Sequence, residues 1–185
     1  PFHQAYDLSE QLLQSAKKSK EISSSLSAFD YHVLYDSSGI DLDEIRAKFK
    51  GFKVARPYIV SDKAAAEDFV DKNKTKDDER KVKDKRFIEN HHFSQLAKRV
   101  EVMRESDKDD PNKRKIPNSQ LHTLRERLHL GTAEAEAFAE TIRHRYPDFK
   151  ELAPLFFDGN FTHFLDAMEI AEFWEGFEDG GEGNE

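Results

Sequence analysis

"SEQLLQSAKKSK", Ser9 to Lys20, reads as the end of a helix, and what it leads into decides the fold class. Ala5, Leu8, Leu12, Leu13 and Ala16 recur at spacings near three and four, which marks one apolar helical face over 5–18. The serine-rich "SKEISSSLS" ends it. The period then changes: in "AFDYHVLY" (Ala28 to Tyr35), Phe29, Tyr31, Val33 and Tyr35 alternate with partners of mixed polarity, the pattern of a strand. "DSSGI" is turn chemistry, and Asp41 is the expected N-cap of a helix over "DLDEIRAKF", with acids in its first turn. "FKVARPYIV" (Phe52 to Val60) predicts a second strand, confined to an edge or an end by Pro57. Helices and strands therefore mix over the first sixty residues.

After Val60 the signals are helical. From Lys63 to Glu105 they are interrupted by "DKNKTKDDERKVKDKR" (Asp71 to Arg86), a mixed-charge run read as a solvated loop or frayed helix face. A polar break, "ESDKDDPNKRK" (Glu105 to Lys115), follows. "PNSQLHTLRERLHLG" predicts a helix with Asn118 or Ser119 as cap, Leu121, Leu124 and Leu128 on one face, and Gly131 as stop. "TAEAEAFAETIRHRYPD" restarts at Thr132, turns Ala135, Phe138, Ala139 and Ile142 inward and ends before Pro147. "NFTHFLDAMEIAEFWEGF" predicts a closing helix whose Phe161, Phe164, Leu165, Met168, Ala171 and Phe173 or Trp174 form a buried stripe. An acidic tail, "EDGGEGNE", occupies 178–185.

The chain of 185 residues is long enough for one domain or two small ones. Charged residues make up 36% and hydrophobic ones 37%, so a packed interior coexists with a heavily solvated surface. A net charge of −8 argues against a surface that coats nucleic acid generally, though local basic patches remain open. Cysteine is absent, which removes disulfides, thiolate zinc sites and cysteine nucleophiles and fits a cytoplasmic setting. No apolar run approaches the roughly 20 residues that cross a bilayer, and no signal peptide opens the chain. Pro1 in first place suggests a cleaved product or a fragment.

Eight histidines invite a metal reading. Glu89 with His92 and Glu126 with His129 have the i, i+3 spacing that di-iron bundles use. Yet glutamate is about one residue in ten, so eight histidines produce about one such pair by chance, and no further carboxylates are nominated. His122, Glu126 and His129 share a helical face but lack a marked fourth ligand for zinc. His91 and His92 point to two faces of a helix, read as partly exposed. Asp107, Asp109 and Asp110 lack the glycine and distal glutamate of a calcium loop. There is no phosphate-binding glycine loop and no nucleophile elbow. The residues alone thus assign no catalytic group and no metal site.

The order "PFHQAYDLSEQLLQSAKKSK", "AFDYHVLYDSSG", "ARPYIV" resembles the closing part of the second polymerase-like palm in the large subunit of type III CRISPR effector complexes, the Csm and Cmr assemblies. Pro1 matches the proline of that family's strand motif, and Leu12, Leu13, Ala16 and Lys17 match its "LL-x-x-AK" helix end. "IPNSQLHTLRERL", "AEAFAETIRHRY" and "FLDAMEIAEFWE" resemble its helical thumb-like domain. The resemblance spans 1–60 and 116–175; Ser61 to Lys115 does not match.

What the resemblance implies is an α+β fold, mostly helical overall: a partial ferredoxin-like palm over 1–60, a charged helical linker region over 61–115, a helical thumb-like domain over 116–177 and a disordered tail. It also implies antiviral defence, with cyclic oligoadenylate made from ATP and Mg2+ or Mn2+ by the complete protein, among other effector subunits, guide RNA and target RNA. By that match Lys17 is the candidate nucleotide phosphate contact. Lys98, Arg99, Lys113, Arg114 and Lys115 are candidate RNA contacts. The family's GGDD carboxylates, its HD nuclease segment and its cysteine zinc site are absent from this sequence; Gly180 and Gly181 are not followed by the pair of carboxylates that a two-metal site requires. Two alternatives stand beside it: a non-catalytic module that docks subunits or RNA, and an unrelated helical protein that binds metal.

Overall fold

The computed structural model describes residues 2–21, 26–34, 41–48, 51–73, 78–107, 110, 114–146, 157–158 and 161–174. The expected turn "DSSGI", Tyr35, Lys113, Pro147 and the acidic tail lie outside them. The fold is α+β and mostly helical. The first helix, α1 (Phe2–Lys17), runs into a 3-10 turn, Lys18–Glu21. Of the face the sequence marks, Leu8 and Ala16 are buried, with Ser15 beside them, whereas Ala5 and Leu13 are exposed; the helix packs on β1 (Ala28–Phe29). α2 (Leu42–Arg46) starts as expected, with the Asp41 carboxylate accepting the Glu44 amide at 2.9 Å.

Both expected strands are shorter than the stretches that predict them. Only Ala28 and Phe29 of "AFDYHVLY" join a ladder; Asp30 to Leu34 run on outside any strand. "FKVARPYIV" splits into β2 (Lys53–Val54) and β3 (Tyr58–Ile59) around Pro57, which has no amide to give a ladder. The halves enter different sheets. β3 pairs antiparallel with β1, Ala28 opposite Ile59 and Phe29 opposite Tyr58. β2 pairs in parallel with β5 (Phe161–Thr162), itself antiparallel to β4 (Phe157–Asp158).

Helices fill the rest. α3 (Lys63–Asn73) and α4 (Asp78–Asn90) form a hairpin, so much of the mixed-charge run is helical. α5 (Phe93–Arg104) packs on α8 (His163–Ala171), and α6 (Asn118–Leu130) packs on α7 (Thr132–Arg145). Leu121, Leu124 and Leu128 are buried, as are Ala135, Ala139 and Ile142, each set on the face its spacing predicts. The cap differs: the residue before α6 is Pro117, and no side chain caps it. Gly131, at φ +136°, separates the two helices in a conformation that favours glycine. Phe173 is exposed, whereas Trp174 packs against the core.

The main core gathers Phe52, Ala55 and Tyr58 with Leu96, Val100, Met103, Ile116, the α6 and α7 faces, Phe164 and Leu165. It draws on all three expected segments. A smaller cluster, Leu26, Ile59, Ala66, Val70 and Ile88, holds the α3–α4 hairpin. No described helix is long and apolar enough to cross a membrane.

Candidate functional site

α8 is the element that organises the polar interior. Every residue from His163 to Glu169 is buried, so the helix lies inside the fold and not along its edge. Three of those residues are ionisable: His163, Asp166 and Glu169, at successive spacings of three and therefore near one face. They meet the short segment between β2 and β3. There the chain turns at Pro57, and the amides of Ala55 and Arg56 donate to Asp166 Oδ2 at 2.9 and 3.1 Å, the hydrogen bonds that a continuous strand would have made to a neighbour. The Tyr58 hydroxyl donates to the same oxygen at 3.1 Å.

Arg56 binds this centre on several sides. Its Nε lies 2.9 Å from Asp166 Oδ1, and its Nη2 donates to Glu169 Oε2 at 2.7 Å. Nη1 donates to the Tyr31 carbonyl at 2.6 Å, and the guanidinium stands 4.6 Å from the Tyr31 ring centre. The Tyr31 hydroxyl in turn donates to the Asp166 carbonyl at 2.6 Å. Burial alone would weaken the Arg56 charge, but Asp166 and Glu169 outweigh it and hold its pKa above the ordinary value. Burial pushes the Asp166 carboxyl up, while Arg56, Tyr58 and the Ala55 amide pull the other way. Two amides, a hydroxyl and a guanidinium all aimed at one carboxyl fit its ionised form. Both tyrosines are raised well above the usual phenol value, by burial first and then by Asp166.

His163 closes the cluster. Its Nδ1 is 3.2 Å from the Tyr58 oxygen, whose proton goes to Asp166, so Nδ1–H donates and Nε2 is the bare acceptor. Nε2 is buried without a hydrogen-bond partner among the described residues. Burial, then Arg99 and His91, push this imidazole down to about 2, so it is neutral at any physiological pH. The His91 ring stands edge-on to it at 5.2 Å and stacks on Phe87 at 3.9 Å. His91 is 2% exposed, against the expectation of partial exposure, because it sits in the break between α4 and α5 and turns inward.

The expected site residues do not converge. Lys17 is exposed at the last position of α1 and Lys98 is exposed on α5. Arg99 is buried, donating to the Asn90 carbonyl at 3.2 Å, so its guanidinium faces protein and not solvent. Arg114 donates to Asn118 Oδ1 at 2.7 Å, and Lys115 is half-buried against Glu105. Of the Glu-x-x-His pairs, Glu89 closes α4 beside Lys63 while His92 caps α5, so that pair spans a helix break. Among the described residues no three His, Asp or Glu side chains are grouped to hold a metal.

A groove of about 400 Å³ lies between α1 and α2. Asp7, Glu10 and Asp43 line it with Lys18, a balance that repels phosphate. The sequence carries one signal of the buried cluster: three ionisable residues at spacing three in the otherwise apolar "HFLDAMEIA". Chemically the cluster is a structural clamp, since its carboxylates are engaged inside the protein. Neither a protein-family model nor a curated protein matches the chain.

Proposed function

We propose that the chain is the palm-closing and helical part of a type III CRISPR large subunit, and that the complete protein makes cyclic oligoadenylate from ATP in antiviral defence. One observation supports this above the others. The stretches that carry the resemblance are separated in sequence, yet α1 lies on β1 and β1 pairs with β3, so they form one helix-on-sheet layer of the kind a ferredoxin-like palm needs. Lys17 stands at the exposed end of that helix, where one cation can meet a nucleotide phosphate. Under this proposal the carboxylates that hold Mg2+ or Mn2+ are the GGDD pair of the complete protein, which this sequence lacks.

The test has two parts. Coding DNA ahead of Pro1 should encode a strand hairpin with two adjacent acids, and its absence would overturn the proposal. The complete gene product with guide RNA, target RNA, ATP and Mg2+ should form cyclic oligoadenylate. Lys17→Glu should cut that rate about tenfold or more, the worth of one charge-assisted contact, without changing thermal unfolding.

A second reading, a non-catalytic docking module, is favoured by Tyr6 and Leu13, which are 62% and 53% exposed and two turns apart on one face of α1. Under it, Tyr6→Ser with Leu13→Ser abolishes assembly with other subunits, and the gene product turns over no ATP.

A further inference from the structure

The chain has two methionines, Met103 on α5 and Met168 on α8, and both line one cavity of about 100 Å³. Together with Leu121 they are buried and give the cavity an apolar floor. Flexible thioether side chains adapt to the shape of what they touch. The other walls come from two helix ends. Asn118 opens α6, Glu172 follows the last residue of α8, and both line the cavity.

A helix start carries partial positive charge and a helix end partial negative charge, which side chains of opposite sign commonly offset. Here they do not. α6 has no side-chain cap and no acid in its first turn, and α8 has no base in its last. The side chains repeat the polarity instead. Arg114 lines the cavity with its Nη1 donating to Asn118 Oδ1 at 2.7 Å, and its backbone is held by a bridge to Ser106. His122, also in the lining, stands one turn into α6 from Asn118. Among the described residues Arg114 and Glu172 form no ion pair with each other, so both charges face the cavity.

A positive pole, a negative pole and an apolar floor in so small a space are the complement of a small zwitterion. We propose that this cavity binds a free α-amino acid with a small apolar side chain. Its carboxylate meets Arg114 and the first amides of α6, its ammonium meets Glu172 and the last carbonyls of α8, and its side chain rests on Met103 and Met168. The volume favours such a ligand over a peptide, since pockets for drug-sized ligands begin at about 300 Å³. The site is separate from Lys17 and does not depend on the chain belonging to a cyclase. It gives Arg114 a ligand other than RNA.

The experiment is NMR of this chain labelled with carbon-13 at the methionine methyls, whose two signals both report from the cavity wall, titrated with L-valine. A ligand of about eight non-hydrogen atoms should bind with a Kd of about 1 mM and shift both signals. Valinamide lacks the carboxylate and should bind about tenfold more weakly, the loss of one charge-assisted contact. For 3-methylbutanoate, which lacks the ammonium, the loss should be about threefold, because Glu172 is exposed. Arg114→Gln should level valine with valinamide and keep valine ahead of 3-methylbutanoate, and Glu172→Gln should do the reverse. Neither side chain belongs to the core, so both variants should fold. L-Lysine should bind far more weakly, since its ammonium would lie on the apolar floor. The proposal is overturned if valine leaves both methyl signals in place, if valinamide or 3-methylbutanoate matches valine on the unaltered chain, or if L-lysine binds as tightly as valine.

Discussion

His163 is the residue whose environment contrasts most with its chemistry: a side chain that titrates near neutrality in water, enclosed beside Arg99 with one ring nitrogen unpartnered among the described residues. Its folded pKa, about 2, lies below the unfolded value of 6.5. The unfolded state therefore takes up the proton first as pH falls, and stability declines from about pH 6.5 downward. At about 1.4 kcal/mol for each unit of pKa difference, this one group should remove about 2 kcal/mol between pH 7.5 and 5. Urea unfolding at each pH should show that loss, and His163→Phe should show less of it over the same window, whatever its absolute stability. The remaining acid sensitivity belongs in part to His32 and His129, whose values are lowered in the same direction by burial. An unchanged pH slope in the variant would mean that the imidazole reaches water.

At the scale of elements, the junctions depend on single residues more than the helices do. Asp41 and Gly131 were legible as punctuation because capping and left-handed backbone are local properties. Gly51 was not. It has φ +84° and faces Thr132, eighty-one positions away, a contact that no local pattern announces. Gly51→Ala meets both a strained φ and a methyl in its path, and should cost about 1 kcal/mol or more. Thr132→Ser in the same chain should recover part of that loss, since it removes the clashing methyl and leaves the backbone strain. Full recovery would show that only the clash mattered, and none would show that only φ did; thermal melts of the three variants separate the terms. The short strands follow the same logic. Period-two alternation announced β1, but in the β2–β3 segment ladder length was set by Pro57 and by Asp166, which takes the amides that pairing would otherwise use.

For the whole molecule, the two core clusters differ in size, and that difference predicts the order of opening. The α3–α4 hairpin rests on Leu26, Ile59, Ala66, Val70 and Ile88, whereas α5, α6, α7 and α8 share the main core. Amide hydrogen exchange should therefore be faster in 63–73 and 78–90 than in 93–104 and 163–171. Ile88→Ala should speed the first pair further and leave the second nearly unchanged. Uniform protection across both would mean that the hairpin opens only with the global transition. The clusters touch through adjacent residues, Tyr58 in one and Ile59 in the other, side chains on opposite faces of β3.

The sequence by itself determined the faces of α6 and α7, part of the face of α1, the cap at Asp41 and the break at Gly131, because each rests on side chains within a turn or two of one another. It also marked Lys17 and Lys98 as surface cations, though Arg99, marked with them, is buried. Only the tertiary structure decided that Arg56, Asp166 and Glu169 form one buried clamp, with Arg56 and Asp166 110 positions apart, and that β2 and β3 serve different sheets. These are pairings between distant segments, where burial makes a charge depend on its partner, and no spacing along the chain encodes which partner that is.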